Sequence, residues 1–548
     1  MRILLVTPPL TQLNTPYPAT AYLKGYFSAE GHDVRQVDLG IEVADRVLSK
    51  SFLAPIGLER QAQLIEPVKR FLRGQDDTLG PRIANRSLLP EGARFSQLDE
   101  DGLEWSFGVS GTSDKAQHLA TLFIEDIADY IRENIDKHFD LVRYAEYLSN
   151  DAPTFDPLYN ELRQKPSPID QLMLELLANH ISEFHPDKVC ITVPFPGCLY
   201  AALRCGQWLK ANTQSVVEIG GGFPNTEWRQ LSDRRIYEFC HEVLIDGYEA
   251  ALEMCPDFSD LPLDKYLSLT EMTNPMHRLW SQGRWNKMVV ARGCYWHRCA
   301  FCDTSLPYIG NYHAPKASTV VDHMERIVEQ TGRTGFHFVD EALPPKLLED
   351  VGREILRRRM AVSFWGNIRF EKAYTTELCD LLAESGLVAV SGGLEVASDR
   401  LLKLIDKGVT VGQTIAACRH LHDAGVMVHT YLMYGFPTET LQETVDALET
   451  IRRMFDEGIV QSAFWHRYAM TCHSPSGLHP ENYGAHRITL DSNPFCNNEV
   501  DWEPGFDYDI EAVGAALRLA TYNYMNGLGL DQPIRSWFPI RVPKPSIR

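Results

Sequence analysis

Three cysteines, Cys294, Cys299 and Cys302, stand within nine positions, directly after the apolar run Val289-Val290-Ala291. The run reads as a buried strand, so the thiols sit on a loop leaving a strand and can converge on one metal centre. Clusters this close ligate zinc or iron–sulfur. Zinc asks for four tetrahedral ligands, with His297 or a remote cysteine as the fourth. A [4Fe–4S] cubane held by only three cysteines keeps one iron open to a substrate or cofactor. Spacing alone favours the cluster and leaves zinc open.

At 548 residues the chain exceeds one core, and two or three domains are expected. With 53 Lys and Arg against 73 Asp and Glu the net charge is −20. That argues against sequence-independent nucleic-acid binding, which needs a basic surface. The opening Met1–Pro9 has too short an apolar run for a signal segment, and no stretch approaches the ~18 apolar residues of a membrane span. The other cysteines (190, 198, 205, 240, 255, 379, 418, 472 and 496) are scattered in mostly apolar surroundings. They read as reduced core thiols, and a soluble, cytoplasmic protein is expected.

The periodicity predicts an α/β chain. Residues 1–255 read as a doubly wound, Rossmann-like domain. Its strands are expected at 2–7, 34–38, 188–193, 215–219 and 242–245, with helices at 19–30 and 199–212. A helical insertion interrupts it at 45–180, with helix-like patterns at 115–140 and 168–185. A linker follows at 256–284. Six strands at 287–291, 335–339, 362–366, 388–392, 426–433 and 462–468 then predict a partial (β/α)6 TIM-type barrel over 285–475. A small, mainly helical extension at 476–548, with a helix at 510–525, is expected to pack on the barrel.

Active groups of such barrels lie at the strand C-terminal ends, and chemistry-bearing residues collect there. Asp340 and Glu341 are acceptors suited to an ammonium. Asn367 and Arg369 alternate to one face, and an Arg suits a carboxylate. Small residues before Glu395, Gly393 among them, leave room for a ligand against the backbone. His466, Tyr468 and Cys472 are candidate substrate-side groups, although any one His is more often structural.

Gly293 before the first cysteine and Phe301 before the third resemble the cluster loop of radical S-adenosylmethionine (SAM) enzymes. The usual C-x3-C-x2-C spacing is here C-x4-C-x2-C, an extra residue that a loop bulge can absorb. Asp340-Glu341, Gly393-Leu-Glu395, Asp406-Lys407-Gly408 and Gly435-Phe-Pro437-Thr-Glu439-Thr440 follow in the order of the same class. The first domain resembles the cobalamin-binding domain of one large radical SAM class. It carries a Pro/Tyr-rich first loop (Thr15, Tyr17), Gly31-His-Asp-Val, the strand into Gly220-Gly221-Gly222, and Asp246-Gly-x-Glu249. A plain flavodoxin-like domain is the alternative. No Asp-x-His-x-x-Gly motif supplies a cobalt ligand.

The resemblance implies a [4Fe–4S] cluster on Cys294, Cys299 and Cys302, SAM held at Asp340, Glu341, Asn367, Arg369, Gly393, Glu395 and Gly435, and cobalamin near Thr15, Tyr17 and Gly220–Gly222. It implies an external one-electron reductant of flavodoxin or ferredoxin type. The expected activity is methyl transfer from SAM through methylcobalamin to an unactivated carbon of a small metabolite or peptide. A rearrangement, cyclisation or ring contraction with the same cofactors is the alternative, and a non-catalytic sensor a third. No nucleic-acid or membrane partner is expected.

Overall fold

The computed structural model describes all residues except 99–102, 104–106, 108–110, 150–153, 229–232, 271–272, 489–494, 497 and 548. The first domain is a five-stranded parallel sheet of order β2-β1-β3-β4-β5. Its strands are β1 (Arg2–Thr7), β2 (Asp33–Asp38), β3 (Lys188–Thr192), β4 (Val216–Gly220) and β5 (Glu242–Val243). The sheet reverses direction beside β1. Such a switch point opens a crevice at the strand C-terminal ends, where open α/β sheets hold ligands.

The helical insertion is present between β2 and β3. Its long helices are Glu59–Leu72, Thr112–Asn134 and Pro168–Phe184, the last started by a Ser167/Asp170 capping box. It shares one hydrophobic core with the sheet and is therefore part of the domain's packing.

The second sheet is the partial barrel, six parallel strands in sequential order. They are β6 (Trp285–Met288), β7 (Gly335–Phe338), β8 (Ser363–Ile368), β9 (Leu387–Glu395), β10 (Met427–Tyr434) and β11 (Ser462–Arg467). Five lie close to their expected places. The strand expected at 287–291 is shifted to 285–288 for a physical reason. The amides of Val289, Val290 and Ala291 are taken by side chains, Tyr22 and Asp340, rather than by a neighbouring strand.

Segment 256–284 is more than a linker. Met276 and Leu279 are buried with Trp365 and Ala389 of the barrel, and Asn274 donates to Ser462 of β11 at 2.8 Å. The C-terminal extension also departs from expectation, because it packs on both domains. Helix Ile510–Met525 lies on β11, where Trp465 Nε1 donates to Thr521 Oγ1 at 2.8 Å. Phe495 and Cys496 instead enter the first domain's core, with Phe495 stacked on Phe155 at 4.4 Å. An aromatic side chain left on the barrel surface would stay wet, and burial in the neighbouring core removes it from water.

All twelve cysteines are free thiols. No helix among the described residues is long and apolar enough to cross a membrane.

Candidate active site

The Cys loop leaves β6 and is held at several points. Val289 N–H donates to the Tyr22 hydroxyl, on the first helix of the first domain, at 2.7 Å. Val290 N–H donates to the Asp340 carboxylate at 3.0 Å, and Ala291 N–H donates to the same group. Gly293, at φ 72°, comes so close to the chain at 309–311 that a Cβ would stand 2.5 Å from Asn311 O. Ala300 N–H donates to Ile405 O at 2.9 Å.

The extra residue in the cysteine spacing forms a bulge at His297. Its φ is 37°, and its Nδ1–H donates back to Cys294 O at 3.0 Å. On either side, Trp296 Nε1 donates to Asp406 O at 2.7 Å and Arg298 pairs with Asp406 at 2.9 Å. The bulge is thus docked on the turn that carries Lys407.

The three cysteines line one cavity of about 210 Å³ at the C-terminal ends of the barrel strands. Glu341, Asn367, Arg369, Gly393 and Glu395 line the same cavity. Cys302 donates its S–H to Cys299, which pulls the Cys299 thiol below its ordinary pKa, with the Lys407 and Arg369 cations adding to the effect; Cys302 is pushed up. Arg369 Nη1 stands 3.8 Å from Cys299 Sγ, and its Nε donates to Glu371 at 2.9 Å. Trp296 lies against the guanidinium, 4.5 Å from its ring centroid, a cation–π contact.

Glu395, at φ 60° on the irregular end of β9, pairs with buried Lys407 at 2.6 Å. Burial works against the Lys407 charge, but Glu395 and Cys299 hold its pKa up. The pair occupies the place of a side chain at Gly393, where a Cβ would lie 1.8 Å from Glu395 Oε1 and 3.0 Å from Lys407 Nζ. One wall therefore combines thiols and cations, and the carboxylates of Glu341 and Glu395 also line the cavity.

Several predicted residues are placed elsewhere. Asp340 is buried with its carboxylate on the loop amides, and it is absent from the cavity lining. Burial pushes its pKa up to about 7, restrained by the Ala291 and Val290 hydrogen bonds. Gly435 also lies off the cavity. Its N–H donates to Glu439 Oε2 at 2.7 Å in a turn with φ 81°. Tyr468 is buried, donating to Ser476 Oγ at 2.8 Å, and Cys472 Sγ donates to Asn498 Oδ1 at 3.1 Å. Both serve packing. Of the three substrate-side candidates only His466 stands near the cavity, its ring 5.9 Å from that of lining Tyr431.

In the first domain, Tyr17 makes an edge contact at 5.8 Å with Phe195, a 54% exposed aromatic just after β3. Burial, then Cys198 and Glu341, pushes the Tyr17 phenol up to about 12. Thr15 is buried and donates to Pro16 O at 3.3 Å. In the glycine turn after β4, backbone packing demands glycine at Gly221, which has φ 118°. A Cβ on Gly221 would be 2.7 Å from Val193 O, one on Gly222 3.2 Å from Pro194 O, and one on Gly220 would touch Leu244. The side chain of Glu249 lies outside the described residues.

Lys407, Tyr431, Tyr22 and Trp296 are site residues that sequence reasoning did not assign. Lys407 stood inside a quoted motif, and its position next to Gly408 was the available signal.

Residues 288–451 match the radical SAM superfamily, from the end of β6 through the helix after β10. Over that stretch, less than a third of the chain, the barrel is similar to a radical SAM domain. An uncharacterized methyltransferase of Pyrococcus horikoshii is 23% identical over 320 residues, covering 52% of this chain and 68% of that protein. The cytidylyl-2-hydroxyethylphosphonate methyltransferase of Streptomyces wedmorensis is 27% identical over 187 residues, 33% of this chain. The anaerobic magnesium-protoporphyrin IX monomethyl ester cyclase of Rubrivivax gelatinosus is 28% identical over 221 residues, 39% of this chain. The chain spans only 34% and 36% of the length of these last two. Among solved structures, the radical SAM methyltransferase TsrM from Kitasatospora setae is similar with a TM-score of 0.47 and 16% identity, over 90% of this chain and 81% of that one.

Proposed function

We propose that this chain is a cobalamin-dependent radical SAM methyltransferase acting on an unactivated carbon of a small metabolite or peptide. The observation that carries the reading is the single cavity shared by Cys294, Cys299 and Cys302 with Glu341, Asn367, Arg369, Gly393 and Glu395.

When bound, the cluster supplies one electron for cleavage of the SAM sulfonium and cobalamin supplies a transferable methyl group. The chain's residues do the rest. The cysteines hold the cluster, Arg369 and Lys407 balance thiolate charge, and Glu341 and Glu395 accept the SAM ammonium. The barrel walls keep water from the reacting atoms. Cobalamin would lie at the C-terminal edge of the first sheet, against Tyr17 and exposed Phe195, facing the barrel mouth. His466 and Tyr431 would meet substrate.

A second reading, a non-methylating cyclisation or rearrangement, is supported by the cyclase among the relatives. Product analysis on anaerobically reconstituted protein separates the two. Methyl transfer yields S-adenosylhomocysteine together with 5′-deoxyadenosine, whereas rearrangement yields no S-adenosylhomocysteine. The Cys294/Cys299/Cys302→Ala triple variant should lose iron and all SAM cleavage. Zinc in place of iron in the purified wild type would sink the whole reading.

A further inference from the structure

A cavity of about 440 Å³ lies at the other end of the barrel, between the insertion, segment 263–284 and the entries to β6 and β7. Four arginines line it: Arg73, Arg278, Arg284 and Arg333. Two are neutralised locally, Arg73 by Asp45 at 2.8 Å and Arg278 by Asp114 at 3.0 Å. Arg284 and Arg333 are not. Neither makes an ion pair among the described residues, although the chain has twenty more acidic than basic side chains and Asp77 and Asp264 share the lining. Their hydrogen bonds go to backbone carbonyls, Arg284 to Gly74 O at 3.5 Å and Arg333 to Leu263 O.

Arg284 stands in the last position before β6, and Arg333 two positions before β7, so the parallel register of these strands brings the two cations to one edge. Arg333 is half-buried. Burial lowers its pKa most and Arg284 adds to this, while Tyr266 and Asp264 act the other way. Holding two like charges together in a partly desolvated cleft is unfavourable, and an anion placed between them reverses the sign. The first turns of the 23-residue helix Thr112–Asn134 also line the cavity, through Ser113, Asp114 and Gln117, and the Asp114 carboxylate there is taken up by Arg278.

We propose that this cavity is a binding site for a phosphate-bearing small molecule of nucleotide size, with Arg284 and Arg333 as its phosphate clamp. Guanidinium forks match phosphate oxygens in pairs, and the volume lies in the ~300–1,000 Å³ range of small-molecule sites. The site is remote from the cysteine cavity, so it stands or falls independently of the activity proposed above.

Isothermal titration calorimetry of the cluster-loaded full chain with inorganic pyrophosphate, uridine monophosphate and uridine tests it. A uracil base avoids competition at the adenine-reading SAM site. The expected result is binding of at least one phosphate probe, no binding of uridine, and about tenfold or greater weakening in Arg284→Glu, the worth of a charge-assisted hydrogen bond. Arg333→Met should do the same. If half-buried Arg333 proves necessary for folding, exposed Arg284 still decides the question. No heat with either phosphate probe, equal binding of uridine, or wild-type affinity in Arg284→Glu would overturn the proposal.

Discussion

Gly393 shows how a single residue can decide the site. The Glu395–Lys407 pair occupies the space of its missing side chain, so Gly393→Ala must displace the pair. SAM affinity should fall by about 1–3 kcal/mol, the cost of polar partners left unmade, with iron content and circular dichroism unchanged. Wild-type SAM binding in that variant would remove the pair from the SAM site. Glu395→Ala is expected to be harsher. It leaves Lys407 buried without its carboxylate, worth about 3–5 kcal/mol of stability by denaturant titration.

Lys287 presents the opposite case. It faces inward on β6 in register with His337, which stacks on Trp365 at 3.6 Å, and its ammonium has no described acceptor. Burial lowers its pKa to about 8 from 10.5. A lowered lysine pKa means that the folded state resists protonation. The penalty is therefore full below pH 8 and fades as pH rises from 8 to 10.5. Lys287→Met should stabilise the protein at pH 7 by up to about 3 kcal/mol, with the gain shrinking at alkaline pH in thermal denaturation. A destabilised variant at pH 7 would show that the ammonium has a partner.

At the scale of elements, the Cys loop is held from two sides. Tyr22 belongs to the first domain's opening helix and Asp340 to the end of β7, and both take amides that a longer β6 would have used. Docking of the first domain is thereby coupled to the shape of the cluster loop. Tyr22→Phe removes one acceptor and should cost about 1–3 kcal/mol. It should also lower the iron retained after reconstitution, read from the charge-transfer absorbance. Full iron with unchanged stability would show that Val289 finds another acceptor. Glu439 repeats the device after β10, accepting from Gly435 and Phe436. Two buried carboxylates thus fix two strand-end turns.

Across the whole molecule, the two hydrophobic cores are bridged by the C-terminal extension. Helix 510–525 joins the barrel core, and Phe495 and Cys496 join the other. Trp228 Nε1 donates to Cys496 Sγ at 3.1 Å. Phe495→Ala should cost about 3–5 kcal/mol, as for other buried aromatics, and should expose the segment between the domains to limited proteolysis. Unchanged cleavage would assign the bridge to the surrounding polar contacts alone.

The amino-acid sequence by itself determined the alternation of strands and helices, the parallel barrel, the long insertion helices and the cysteine triad. These rest on local periodicity, glycine and proline punctuation and short spacings, which need no distant partner. It also marked Glu341, Asn367, Arg369, Gly393 and Glu395, through motifs resembling those of the radical SAM class at strand ends, which converge in such barrels. Only the tertiary structure decided which way each side chain turns. Asp340 and Glu341 are adjacent in sequence, yet one binds backbone amides and the other lines the cavity. Tyr468 and Cys472 found partners in the later chain, at Ser476 and Asn498. Those choices depend on hydrogen bonds and burial between segments far apart in the sequence. Arg284 and Arg333, which make no ion pair among the described residues, became visible only when two strands separated by a helix brought their charges to one edge.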